Sequence, residues 1–273
     1  MSRAVYWFSG TGNSLWAARR LAVRLDCPPP IPLTSGPSCS GSVSSLELAI
    51  LVCPLYFWGL PDLVVDWLRG LDPSRVTGLA LVLTRGGSPG GAVSQFERIL
   101  ARIGIAPLGA WKVTMPGNYV PLFPLPSPSR RARLLDRAEE KLDAIAAAIR
   151  AGRWGREGDN FLWARVSRQV NRRWKKRLPD AFVRFRASEL CSSCGTCRRV
   201  CPVGNIELPS GRPVWGAGCQ GCLACLHFCP EQAIDFGPRT ARRGRYHCPG
   251  ITADDIAAQG EARRDRLSRP TPG

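Results

Sequence analysis

The residues best suited to chemistry in this chain are eight cysteines in two runs near its C-terminus. Cys191, Cys194, Cys197 and Cys201-Pro202 recur 28 residues later as Cys219, Cys222, Cys225 and Cys229-Pro230, each run spaced C-x2-C-x2-C-x3-C-P. The repeat continues beyond the cysteines, with Ile206-Glu207-Leu208 answering Ile234-Asp235-Phe236. Thiolates two residues apart let one tight loop cap three corners of an iron–sulfur cube. The fourth ligand then comes from elsewhere, and proline turns the chain away. A duplicated unit accounts for the repeat. Zinc sites are usually built on two C-x2-C pairs, which fit this cadence poorly, and disulfides require an oxidising compartment.

A second candidate stands at the N-terminus. Arg3 to Phe8 reads as a strand, Ser9-Gly10-Thr11-Gly12-Asn13-Ser14 as a loop and Leu15 to Leu25 as a helix. Strand, small hydroxyl-rich loop and helix N-terminus form a phosphate cradle, because glycines admit close backbone approach and the helix dipole favours an anion. The Walker lysine and the G-x-G-x-x-G spacing are both absent, which disfavours a nucleoside triphosphate or NAD at this loop. A hydroxyl-rich turn capping a helix is the plainer alternative.

These residues need a scaffold, and the pattern supplies one. Glu47 to Cys53 reads as a buried strand ending in Pro54-Leu55-Tyr56-Phe57-Trp58-Gly59, and Leu79 to Leu83 as another ending in Thr84-Arg85-Gly86-Gly87-Ser88. Helical stretches follow at Asp62 to Arg69 and Ala92 to Arg102. Alternation of strand and helix predicts a parallel sheet with ligand loops at the carboxyl ends of its strands. A cradle, an aromatic wall and a glycine-rich edge together suit a planar, phosphorylated ring system.

The cysteine pattern resembles that of bacterial ferredoxins, in which the fourth cysteine of each run ligates the other cluster. The resemblance implies two [4Fe–4S] clusters, one on Cys191, Cys194, Cys197 and Cys229 and one on Cys219, Cys222, Cys225 and Cys201. Residues 3 to about 120 resemble a flavodoxin, in whose terms Ser9 to Ser14 bind the FMN phosphate. The Pro54–Gly59 and Thr84–Gly87 loops then flank the isoalloxazine ring. As a whole the chain is similar to fusion proteins joining a flavodoxin-like domain to a two-[4Fe–4S] ferredoxin, also through Met115-Pro116-Gly117-Asn118-Tyr119 and Phe182-Val183-Arg184-Phe185. The implied fold is α/β: a flavodoxin-like, three-layer, doubly wound parallel sheet over residues 1–124 and a small α+β two-cluster ferredoxin over 188–240. Residues 125–187 would be a basic helical connector and 241–273 a C-terminal strap and tail. The implied function is electron relay between the clusters and FMN, coupling one- and two-electron carriers. An FMN-dependent reductase of a small molecule, fed by its own ferredoxin, is the alternative. Redox protein partners follow, a low-potential donor and an acceptor reductase.

Length and composition agree with this division. At 273 residues and 44% hydrophobic, the chain can fill one medium core and a small one. The apolar stretch Leu46 to Leu68 is interrupted by Pro54, Gly59, Pro61, Asp62 and Asp66 and is no membrane span. With no signal peptide read at the start, reduced thiols suggest the cytoplasm. The formal charge of +17 is concentrated in residues 125–190, where 17 basic residues meet 8 acidic ones.

Within that segment Ser129 to Arg150 reads as a helix covering a sheet face. Asn160 to Pro179 reads as a second helix, with an apolar stripe of Phe161, Trp163, Val166, Val170 and Trp174 among arginines and lysines. A docked linker, a surface for an acidic protein partner and, less well, a membrane-surface contact all fit it; no nucleic-acid-binding motif is present. Cys27, Cys39, Cys53 and Cys248 have no ligand spacing and read as packing residues. Arg198 and Arg199 would raise the potential of the nearby cluster if they face it. The proline- and serine-rich segment from Cys27 to Ser45 predicts an irregular sheet edge, and Gln259 to Gly273 reads as a disordered tail.

Overall fold

The computed structural model describes residues 3–36, 48–88 and 90–268; Cys39 and the last five residues lie outside these. Five strands, β1 (Arg3–Trp7), β2 (Ile31–Pro32), β3 (Leu48–Pro54), β4 (Gly78–Arg85) and β5 (Ala106–Thr114), form one sheet in the order β2-β1-β3-β4-β5. Every pairing is parallel. This is the flavodoxin-like doubly wound order, and strand β3 shows why it forms. Its unbroken Leu-Ala-Ile-Leu-Val-Cys run is buried on both faces, as a central parallel strand requires.

Two helices cover each face. Helices α1 (Asn13–Arg24) and α4 (Pro128–Arg150) pack Leu15, Leu21, Leu142, Ile145 and Ile149 against Val5, Ile50, Val52 and Val82. Helices α2 (Asp62–Arg69) and α3 (Ala92–Ile103) pack Val64, Leu68, Phe96 and Leu100 against Leu51, Cys53, Leu79 and Leu81. Helix α4 begins with Pro128 in its first turn and Ser127 accepting a hydrogen bond from the Arg130 N–H, a favourable start on both counts. It covers the sheet face as its periodicity predicts.

Strand β5 carries no clear alternation, and Pro107 and Gly109 hide it in sequence; its pairing to β4 shifts register between Leu79 and Ala80. The segment beginning at Cys27 contributes only the two-residue edge β2 among described residues.

Helix α5 (Phe161–Arg177) lies against the β3–α2 loop, on a stripe that only partly coincides with the one its apolar residues mark out: Trp174 belongs to both. Its inner edge is Ala164, Ser167 and Asn171, all buried, whereas Trp163 and Val166 are 37% and 51% exposed. Small side chains win because the contact is close: a Cβ on Gly59 would lie 2.6 Å from Asn171, and one on Gly91 would lie 3.0 Å from the Ala164 carbonyl oxygen.

The remaining chain forms a ferredoxin-like region of short pieces. Strands β6 (Phe185–Ala187) and β9 (Ile234–Phe236) pair antiparallel, as do β7 (Ile206–Glu207) and β8 (Val214–Trp215). One-turn helices α6 (Thr196–Arg199) and α7 (Ala224–His227) follow the cysteine loops. A segment from Tyr246 then leads into α8 (Ala253–Ser268), in place of the disordered tail that polarity suggested. Gln259 and Ile256 of this helix are fully buried. No helix among the described residues is long and apolar enough to cross a membrane.

Candidate functional site

The two cysteine runs build two cavities, and they do so by exchange. One is lined by Cys191, Cys194, Cys197 and Cys229, the other by Cys201, Cys219, Cys222 and Cys225. Their volumes are about 320 and 330 Å³, counting the space at the mouths. Each takes three cysteines from one run and one from the other. The fold imposes this because α6 and α7 pack side by side, bringing the end of each helix to the other's loop.

The surroundings of the sulfurs suit acceptors of hydrogen bonds. Asn205 donates its backbone N–H to Cys201 Sγ at 3.2 Å, and Gly221 donates to Cys219 Sγ at 3.4 Å. Trp215 lines the second cavity, where its buried indole N–H faces no acceptor but the Cys225 thiol. A donor held beside sulfur fits a site meant for thiolates and inorganic sulfide. Burial pushes the Cys197 thiol up to about 11, while contacts from Thr196 lower that of exposed Cys194. No three His, Cys, Asp or Glu side chains among the described residues are placed to hold a single metal ion. Arg198 and Arg199 are both exposed, and Arg199 pairs with Asp254 at 2.5 Å.

The second cavity abuts the parallel sheet. The Cys222 carbonyl lies over Gly10, so close that a Cβ there would meet it at 2.3 Å. Gln220 accepts from the Leu63 N–H at 3.3 Å, and Gly221 is covered by Trp174 and Leu178. The first cavity has Cys194 exposed at its edge.

The three loops expected to surround a flavin do converge at the carboxyl ends of β1, β3 and β4. Ser14 and Thr84 share a hydrogen bond of 2.8 Å, and the Tyr56 hydroxyl stands beside Gly10. Gly12, at φ +94°, turns the chain into α1. Arg85 reaches the Gly87 carbonyl at 2.6 Å, and Gly86 lies against Gly117.

What covers these loops differs from expectation. Every residue from Ser9 to Ser14 is buried, and protein atoms lie over each. Gln259 accepts from the Ser9 N–H at 3.1 Å and donates to the Ser9 carbonyl at 2.9 Å. Cys248 donates its N–H to the Thr11 carbonyl at 2.8 Å, and the Tyr246 hydroxyl donates to Asn13 Oδ1 at 2.8 Å. Asn13 donates in turn to the Pro116 carbonyl, and Asn118 to the Thr11 hydroxyl. Ile251 sits on Gly12. The aromatic loop is likewise engaged: Phe57 stacks on Trp174 at 4.5 Å and 18°, and Trp58 meets Trp163 edge-on at 4.9 Å. The loop chemistry suits a phosphate, but with this covering FMN does not fit unless the Tyr246–Gln259 segment moves. No lone residue type announced Gln259 or Asn171 in the sequence; both are polar side chains whose partners are distant in the chain.

Comparisons with known proteins agree in kind. A family described as a 4Fe-4S binding domain matches residues 187–207, which hold the first cysteine run. A subunit of the F(420)H(2) dehydrogenase of Methanosarcina mazei is 27% identical over 66 residues, covering 19% of this chain and 19% of that protein. The chain thus matches about a fifth of that relative's length. Among solved structures, a flavodoxin from the domain Archaea is 13% identical, covering 55% of this chain and 99% of that one, with a TM-score of 0.38. The two-electron reduced Megasphaera elsdenii flavodoxin is 16% identical, covering 51% and 98%, with a TM-score of 0.33. The Trp repressor binding protein from Bacillus subtilis is 17% identical, covering 51% and 96%, with a TM-score of 0.34. The chain thus carries a match to a 4Fe-4S binding domain beside a parallel sheet of flavodoxin-like order.

Proposed function

We propose that this chain is an electron-transfer protein holding two [4Fe–4S] clusters, one on Cys191, Cys194, Cys197 and Cys229 and the other on Cys219, Cys222, Cys225 and Cys201. The observation that carries the reading is the crossed lining of the two cavities. Clusters bound there would take up and release single electrons. The protein's part is to orient the thiolates, to donate N–H groups from Asn205, Gly221 and Trp215, and to exclude water. Exposure of Cys194 and the seating of the Cys222 carbonyl on Gly10 support an order in which partners meet the first cluster at the surface and the second faces the sheet. A low-potential donor protein and an acceptor reductase are the corresponding partners.

The domains expected at 1–124, 125–187, 188–240 and 241–273 serve this reading as working parts of one body. Val200, Ala224, Phe228, Cys248 and Ile256 share a hydrophobic core with the parallel sheet, so the ferredoxin-like region packs against the sheet and its carboxyl-end loops. That packing would set the distance over which an electron must pass.

FMN on the Ser9–Ser14, Pro54–Gly59 and Thr84–Gly87 loops is a second reading, favoured by the convergence of those loops. It would supply the coupling of one- and two-electron carriers, or a reductase activity toward a small molecule. It requires displacement of Gln259, Ile251 and the Cys248 backbone from the cradle. Anaerobic purification with iron, sulfide and flavin quantification separates the readings. About eight irons per chain supports two clusters, and about four overturns them. Stoichiometric FMN supports the second reading, and its absence under saturating FMN refutes it.

A further inference from the structure

Phe57 and Trp58 occupy the middle of a two-residue turn closed by paired hydrogen bonds between Tyr56 and Gly59, at 3.0 and 3.1 Å. Both lie in the left-handed region, at φ +44° and +64°. Such turns normally carry Asn and Gly, so two successive bulky aromatics there are held against their preference. Asn171 holds them: its side-chain amide donates to the Tyr56 and Phe57 carbonyls at 3.0 and 3.1 Å, and Gly91 donates to the Trp58 carbonyl at 3.1 Å.

The strained turn places Trp58 in the wall of a groove between α3 and α5, about 910 Å³ counting its open mouth. Five cations line the same groove, Arg98 from α3 and Arg168, Arg172, Lys175 and Lys176 from α5. The four on α5 follow one face, at spacings of four, seven and eight residues from Arg168, where like charges repel. Carboxylates offset only part of this. Asp62 pairs with Lys175, and Asp159 and Glu97 act on Arg98 from a distance. Burial and the neighbouring Arg168 and Arg102 charges hold the Arg98 guanidinium below its usual range. A concave site of this size, with an aromatic wall and a surplus of three to four positive charges, matches a small polyanion with a planar ring better than a flat protein surface.

We propose that the α3–α5 groove binds a nucleotide carrying two or more phosphates, its base against Trp58 and its phosphates on Arg98, Arg168, Arg172 and Lys176. A diphosphate carries about three negative charges near neutral pH and so balances the surplus. The groove is also tied to the second cysteine cavity. Phe57, next to Trp58, stacks on Trp174, whose ring lies against Gly221 between Cys219 and Cys222. A nucleotide here sits beside the redox centre without touching it.

The test is equilibrium dialysis of the full, anaerobically purified chain against ATP, NADPH, inorganic pyrophosphate and adenosine at low ionic strength. Saturable binding of ATP or NADPH at one per chain is expected, with pyrophosphate competing and adenosine far weaker. Arg168→Glu with Arg172→Glu should weaken it by at least about tenfold while iron content stays unchanged. Both residues are exposed, so the pair is expected to fold. Trp58→Ala should weaken nucleotide binding and leave pyrophosphate binding in place. The proposal is overturned by absence of saturable nucleotide binding, by indifference to the charge reversals, or by equal binding of adenosine. Iron content reads the cluster assignment separately, so either can fail alone.

Discussion

Replacing Gly10 by alanine would press directly on the junction between the sheet and the second cysteine loop. The added Cβ would stand 2.3 Å from the Cys222 carbonyl oxygen, 3.2 Å from its carbon and 2.9 Å from the Tyr56 hydroxyl. Close carbon–oxygen contacts settle near 3.3 Å, so the loop must retreat by roughly 1 Å. The obstacle is backbone rather than the end of a flexible side chain, and Gly10 lacks a positive φ, so the cost is one of packing alone. Overpacking of a tight site costs about 1–3 kcal/mol. With a urea slope of about 3 kcal/mol/M, the unfolding midpoint should fall by roughly 0.3–1 M. Midpoints are the proper readout, because a protein with bound clusters need not unfold in two states. The retreat also carries the Cys222 backbone with it, so the dithionite-reduced EPR spectrum should change for one cluster. Gly87→Ala is the matched control: nothing lies within 4 Å of a Cβ there, and its midpoint should stay within about 0.2 M of the parent. A Gly10→Ala protein with an unmoved midpoint and an unaltered EPR spectrum would refute the close docking of the two halves.

Three further outcomes can be checked. Asp159 lies buried with one oxygen 3.2 Å from Lys112 Nζ and the other accepting the Ser94 N–H at 2.8 Å; Asp159→Ala should lower stability by about 3 kcal/mol, because it leaves the Lys112 charge with the Gly158 carbonyl but no carboxylate, read by thermal melting, with Asp159→Asn milder. Gln259→Ala leaves the buried Ser9 N–H and carbonyl unpaired at a cost of about 1–3 kcal/mol, and amide exchange should rise at Ser9 and in α8 before it rises in β3. Burial raises the Cys53 thiol far above its usual range and pushes Cys248 up to about 12; iodoacetamide at pH 8 should leave both unmodified in the native protein, as peptide mass analysis would show.

Legibility followed the range of the interactions. Strands β1, β3 and β4 and helices α1 to α4 can be read because each buries a face whose period is written in consecutive residues. Strand β5 escapes because Pro107 and Gly109 break that period. Helix α5 is legible as a helix, but its inner stripe is not: apolarity points to Val166 and Trp163, whereas close approach to Gly59 and Gly91 selects Ala164, Ser167 and Asn171. Helix α8 is hidden by its polarity. What stabilises it is Gln259 on Ser9, a contact spanning 250 residues.

Sequence alone determined the cysteine spacing, the strand–helix alternation and the hydroxyl-rich loop after β1, since all three are local: a ligand cadence, a periodicity and a turn. Tertiary structure decided what each of these faces. It set Cys222 on Gly10 and laid Ile251 and Gln259 over the cradle read as a phosphate site. It also gathered cations from α3 and α5 around Trp58. Those juxtapositions depend on how separate elements pack, and close packing is a property of the whole core that no single stretch of residues encodes.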